Sequence, residues 1–177
     1  MSGTLQEIVT MRTALLLGVM LATLLFHGCA ASPEAQLETA RQLIESNQAE
    51  CVLITADGRL VTGERGHGVS PLLTLYETRP DDMAGATVVD KVVGRAAAAI
   101  AISGKARHVH GEVMSEDAVK FLHAHDITTS GTLLVPRILN RKRNGLCPLE
   151  QSVAGIDNPG KALIALKRRI ATLRGGN

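Results

Sequence analysis

GATVVDKVVGRAAAAIAISGKARHVHGEVMSEDAVKFLHAH, residues 85–125, decides the fold. Gly85 to Val89 is a continuous β-branched apolar run with no polar alternation, the pattern of a strand covered on both faces. Asp90 ends that run. From Val92 to Ile102 the chain is Ala-rich and apolar nearly all round, which predicts a buried helix, and Gly104 stops it. His108 to Met114 reads as a second strand. Ser115-Glu116-Asp117 then opens a helix reaching about His125. Strands joined by helices are parallel, with right-handed crossovers.

Toward the N-terminus, Cys51 to Thr55 and Leu60 to Thr62 flank Asp57-Gly58 and read as a hairpin. Ser32-Pro33-Glu34 carries a cap, a proline at the first helical position and an acid in the first turn, so a helix follows with Leu37, Ala40, Leu43 and Ile44 on one face. Gly66-His67-Gly68 is a loop leading to a helix over Leu72 to Glu77, with Ser70 as cap, Pro71 at its start and Arg79-Pro80 at its close. Toward the C-terminus, Leu133 to Leu139 is apolar, but Pro136 argues against a central strand. Arg141 to Gly145 is a basic turn and Cys147-Pro148-Leu149-Glu150 a helix start. Asn158-Pro159 opens a last helix with Leu163, Leu166, Ile170 and Leu173 on one face and Lys161, Lys167, Arg168, Arg169 and Arg174 on the other. The order implies an α/β fold, a three-layer α/β/α sandwich. Its organisation is a leader over residues 1–31, an α/β domain over 32–155, and an amphipathic helix over 156–177 packed on that domain.

The 177 residues are 45% hydrophobic and 20% charged, with a net charge of +2, so neither disorder nor an electrostatic nucleic-acid footprint is expected. With no Trp, one Tyr and two Phe, base-stacking platforms are also excluded. Thr13 to Phe26 is an apolar run preceded by Met11 and Arg12. It has the length of a secretory leader and is short for a membrane span. Gly28-Cys29 directly follows, in the manner of a lipoprotein processing site. Export, with lipid on Cys29 as a membrane anchor and the domain facing the periplasm or cell exterior, is the expectation, with Met11 a plausible true start. A buried core helix is the alternative. In an oxidising space Cys51 and Cys147 could pair.

Gly66-x-Gly68-Val69-x-Pro71-Leu72-Leu73-x-Leu75-Tyr76-Glu77, Asp90-Lys91-Val92-Val93-Gly94-Arg95-Ala96-Ala97-Ala98, Ser115-Glu116, Asn140-Arg141 and Gly145-x-Cys147-Pro148-x-Glu150 together resemble the family of domain of unknown function 1893. The resemblance spans about Glu34 to Leu173. It implies a cytidine-deaminase-like mixed sheet and no established activity. Zinc enzymes of that fold carry H-x-E and P-C-x-x-C at two helix starts. Here those starts read Asp90-Lys91-Val92 and Ser115-Glu116-Asp117, without His or Cys. No metal and no other cofactor is therefore expected, and base deamination is disfavoured.

Ligands on such sheets bind beyond the carboxyl ends of the strands. Asp90 and Glu116 are expected there, either as an acid–base pair or merely as helix-start residues. Cys147, before Pro148 and after Arg141, is either a nucleophile activated by a helix start and a cation, or a capping or buried residue. Glu150 could reach back to the backbone N–H of Cys147 as a capping-box partner. Lys91 and Arg95 either bind an anion or pair with Asp90 and Glu116. Arg141 would hold an anionic group, and Gly66 and Gly68 expose backbone N–H groups suited to one. His108, His110 and Glu112 alternate on one strand face, a tempting metal set that an exposed face explains more cheaply. Two functions follow: a zinc-independent enzyme on a small anionic molecule using Cys147 and Asp90, or a non-catalytic module binding an as yet unidentified small ligand.

Overall fold

The computed structural model describes residues 31–63 and 66–175. The chain divides into two units, residues 1–31 and 32–177. The leader expectation, Cys29 included, falls outside the described residues.

The second unit runs α1 (Pro33–Glu45), β1 (Cys51–Ile54), β2 (Leu60–Thr62), α2 (Ser70–Thr78), α3 (Pro80–Met83), β3 (Thr87–Val93), α4 (Arg95–Ser103), β4 (His108–Ser115), α5 (Glu116–His123), β5 (Thr128–Val135), α6 (Pro148–Val153) and α7 (Pro159–Gly175). One sheet holds the five strands in the order β2-β1-β3-β4-β5. The β2–β1 and β1–β3 pairs are antiparallel, whereas β3–β4 and β4–β5 are parallel. The hairpin turns at Gly58, whose φ of 85° suits glycine. β5 is an edge strand that stops one residue before Pro136, where a missing N–H interrupts no ladder.

Two cores flank the sheet. Leu53, Val88 and Val109 pack with Ile100 of α4, Leu122 of α5 and Leu166 of α7 in the larger one. Val52, Ile54 and Val89 pack against Ala40 and Ile44 of α1 in the smaller one. The alternation along β1 and β3 delivers neighbours to opposite cores, so the chain forms the three-layer α/β/α sandwich its element order implies. In α4, residues 95–101 are all buried, because alanines let the helix lie close to several neighbours at once. In the last helix, Leu163, Leu166 and Ile170 face the core as expected, while Leu173 is left exposed.

Two local expectations change. β3 does not end at Asp90. It continues to Val93, because the β-branched pair Val92-Val93 goes on pairing with Val113-Met114 until Gly94 breaks the run. Asp90 therefore lies inside the sheet, beside Cys51 on one strand and Gly111 on the other. Ser70 is the first residue of α2 rather than its cap, and Val69 precedes it with no side-chain bond. Gly111 and Gly131 stand next to Asp90 in the same row across the sheet. A Cβ on Gly111 would lie 2.6 Å from Met114 Cγ, so these glycines make room for Met114 to lie over the row.

Candidate functional site

Three separate segments enclose a cleft of about 1020 Å³. One wall comes from residues 66–68 and the start of α2. The second comes from residues 139–142 with Cys147, Pro148 and Leu149, and the third from Ile170, Leu173 and Arg174 of α7. Val92 of β3 also lines it. The basic turn is held tightly: Cys147 N–H donates to the Ile138 carbonyl at 3.0 Å, and Asn140 N–H donates to that of Gly145 at 2.9 Å. Asn140 and Asn144 bond each other twice across it.

Among the described residues, every ionisable side chain of the lining other than the Cys147 thiol is basic: His67, Arg141, Lys142 and Arg174. One Arg141 nitrogen stands 3.3 Å from His67 Nδ1, and Arg174 donates to Ser70 Oγ at 3.4 Å. Among the described residues, no carboxylate lines the cleft. Between the cations the surface is apolar, with Val92, Leu139 and Leu173 exposed. Such a lining suits a molecule with an anionic head and an apolar body.

Of the residues singled out from the sequence, Gly66, Gly68, Arg141 and Cys147 meet in this cleft, while Asp90, Lys91, Arg95 and Glu116 are not in its lining. Cys147 is half-buried and precedes a helix of six residues without making a side-chain cap. Cys51 is buried at the head of β1. Both thiols are free. Burial, with the Asp90 carboxylate beside it, pushes the Cys51 thiol far above the ordinary range.

Arg95 is spent on structure. Its guanidinium donates to the backbone carbonyls of Val153 and Ile156 at 3.2 and 2.9 Å and to the carboxylates of Asp117 and Asp157 at 3.0 and 2.9 Å. It also stacks 4.0 Å above the Phe121 ring. The expected pairing with Asp90 and Glu116 is not made, since α4 starts three residues after the point the sequence suggested. Lys91 is exposed and reaches Asn47 Oδ1 at 3.4 Å. Glu116 is exposed and lies 3.9 Å from Lys120, one turn on along α5.

The expected capping box at Cys147 is also replaced. Glu150 turns away from its own helix and caps α4. The backbone N–H groups of Arg95 and Ala96 donate to its two carboxylate oxygens at 2.8 and 3.0 Å. Gly94 precedes α4 and offers no side chain for capping. A Cβ there would stand 2.4 Å from Glu150 Oε1. Burial raises the Glu150 pKa, and the two backbone donors pull it down without cancelling the rise. The helix end where this architecture would seat a ligand is thus closed by the chain's own carboxylate. The residues present do not fit zinc, and no cluster of three metal-ligating side chains occurs among the described residues.

Asp90 accepts a bond from Val92 N–H at 3.1 Å and is otherwise sealed in. Burial lifts its carboxyl from 3.8 to about 7. The folded state therefore holds a proton that the unfolded chain releases, and the associated stability is lost as pH rises from about 4 through 7. Asp90→Asn should remove that slope. Urea unfolding at pH 5 and pH 8 should show the variant gaining on the parent, by roughly 2–4 kcal/mol at pH 8. An unchanged difference between the two pH values would refute the assignment.

On the other face of the sheet His108 and His110 are joined through Ser130, and Glu112 stands beside His110 Nε2, which has no hydrogen-bond partner. His108 lies 2.7 Å from Thr128 Oγ1 and 2.9 Å from Ser130 Oγ, and His110 Nδ1 lies 2.8 Å from the same Ser130 oxygen. Glu112 accepts from Arg41 at 2.7 Å and from Thr132 at 2.7 Å, and stands 3.5 Å from His110 Nε2. The proton order follows from one hydroxyl having one hydrogen. Ser130 donates to His110 Nδ1, which leaves the Nε2–H facing Glu112, and His108 Nε2–H donates to Ser130. The opposite order would set a bare nitrogen against a carboxylate. Arg41 holds the Glu112 pKa down at about 2, and burial lowers those of both histidines.

His67, Lys142 and Arg174 were not among the residues the sequence singled out. Arg174 belonged to a basic helix face that an ordinary solvated face would explain equally well. Nothing in the local pattern around Glu150 signals a cap delivered to a helix 55 residues earlier.

A family model described as "TM1506: Domain of unknown function (DUF1893)" matches residues 39–170. No curated protein matches. Among solved structures the chain is similar to the crystal structure of a DUF1893 family protein, TM1506, from Thermotoga maritima. Identity is 26%, the TM-score is 0.69, and the match covers 80% of this chain and 95% of that one.

Proposed function

The chain belongs to the DUF1893 family, and because that family's description carries no activity, we propose a function from the cleft alone: a non-catalytic module that binds a small amphiphilic anion. One observation carries this reading. Among the described residues, four basic side chains and no carboxylate line an apolar cleft of about 1020 Å³. Arg141 and Arg174 receive the anionic head, and Val92, Leu139 and Leu173 cover the apolar body. Cys147 supplies a polarisable lining atom. A Cys147–Asp90 catalytic pair is not part of the proposal, because Asp90 faces the sealed interior of the sheet.

The test uses two dyes that differ in one charge, 8-anilinonaphthalene-1-sulfonate and N-phenyl-1-naphthylamine. The sulfonate should bind with one-to-one stoichiometry. Replacing both Arg141 and Arg174 by Ala should weaken it at least tenfold, about 1.4 kcal/mol, and change the neutral dye less than twofold. Equal losses for the two dyes, or no loss for either, would defeat the reading.

Two further proposals stand beside it. The sheet order with its antiparallel first strand supports a cytidine-deaminase-like kinship. The Arg12-to-Cys29 pattern supports export and lipid anchoring, which cell fractionation of Cys29→Ser would test.

A further inference from the structure

The sheet has two edges of very different character. β2 is three residues long and adjoins the charged Asp57 and Arg59, features that discourage further pairing. β5 is eight residues long, and from Thr128 to Val135 it contains no charge and no proline. Leu133 and Leu134 on it are 54% and 60% exposed. Long uncharged apolar edges are what soluble proteins avoid unless another strand covers them.

The flanks of β5 indicate which strand that is. Asp126 precedes it and Arg137 follows it. Both are exposed, and among the described residues neither is in an ion pair. An antiparallel second copy of the same strand brings opposite charges together at both ends. We propose that a second copy of this chain pairs along β5 across a two-fold axis at Thr132.

Symmetry restricts the register. A two-fold axis through the sheet keeps each side chain on its own face, and opposed residues share a face. The axis must therefore pass through a residue facing itself. The strand's midpoint falls between Gly131 and Thr132. With Thr132 on the axis, a threonine faces a threonine. Leu133 then lies beside the bare Gly131 of the second copy and Leu134 beside its Ser130. Arg137 lies beside the other copy's Ile127, one residue from its Asp126, and both charges sit beyond the strand ends, Asp126 in a turn with φ 60°, where strand alternation no longer sets the face a side chain takes. Both leucines leave water in each copy, and the five-stranded sheet becomes a continuous ten-stranded one.

Cysteine cross-linking of the full chain in a Cys147→Ser background tests this register. Residues on the axis meet, whereas Thr128 and Val135 would stand eight and six residues from their own copies, about 27 and 20 Å at about 3.4 Å per residue. Under mild oxidation Thr132→Cys should give a disulfide dimer, mapped to position 132 by mass spectrometry. Its yield should be at least tenfold above that of Thr128→Cys or Val135→Cys. Sedimentation of the unmodified full chain should give twice the chain mass, and Leu134→Lys should halve it. Equal yields at all three positions, a monomeric parent, or a dimer indifferent to Leu134→Lys would overturn the proposal.

Discussion

Arg95→Ala is expected to be the most damaging single change in the domain, at about 3–5 kcal/mol by urea or thermal unfolding. The loss has three parts: a cavity where a long buried side chain lay over Phe121, and unmet carbonyls at Val153 and at Ile156. The two ion pairs contribute little, because Asp117 and Asp157 are largely in water. Asp117→Ala and Asp157→Ala should each cost less than about 1 kcal/mol. Arg95→Met should recover much of the packing and none of the carbonyl bonds, falling between the extremes. Because those carbonyls lie at the end of α6 and in its connection to α7, and both helices wall the cleft, Arg95→Ala should also weaken binding of the sulfonate dye. A destabilisation confined to the ion pairs, with Asp117→Ala as harmful as Arg95→Ala, would contradict this account.

Glu150→Ala should come next, at about 2–4 kcal/mol. It strands two backbone N–H groups at the start of a helix whose first seven residues are buried. Glu150→Gln keeps one acceptor and turns an NH₂ toward the other donor, so it should recover about half of the loss. Gly94→Ala pushes a methyl into the same carboxylate and should damage stability comparably. Equal stability of Glu150→Ala and the parent in urea would mean that α4 needs no cap from α6.

The fold was legible because its signals are local and periodic. Ser32-Pro33, Asp57-Gly58, the alanine-rich run of α4 and the apolar spacing of α7 each specify their own element. The site was legible only in part. Gly66, Gly68, Arg141 and Cys147 were recognisable as loop and helix-start residues, and they do converge. Asp90 misled because an acid after a β-branched run looks like a helix start, whereas pairing with β4 carries the strand three residues further. Arg95 and Glu150 misled for a different reason. Arg95 reads as an anion binder or a partner of Asp90 and Glu116, and Glu150 as a cap for its own helix, until their true partners are known, and those lie between 22 and 62 residues away along the chain. Tertiary hydrogen bonds of that span leave no periodic trace in a sequence.

Since the three walls of the cleft come from stretches far apart along the chain, whatever occupies it becomes a clasp. Filling it cross-braces residues 66–74 to residues 139–149 and 170–174, so occupancy and folding share one free-energy ledger. A ligand at a hundred times its dissociation constant would add about 2.7 kcal/mol to the resistance of the domain to unfolding. A library screened for compounds that raise the melting temperature would then report on the physiological guest without any assay for a reaction.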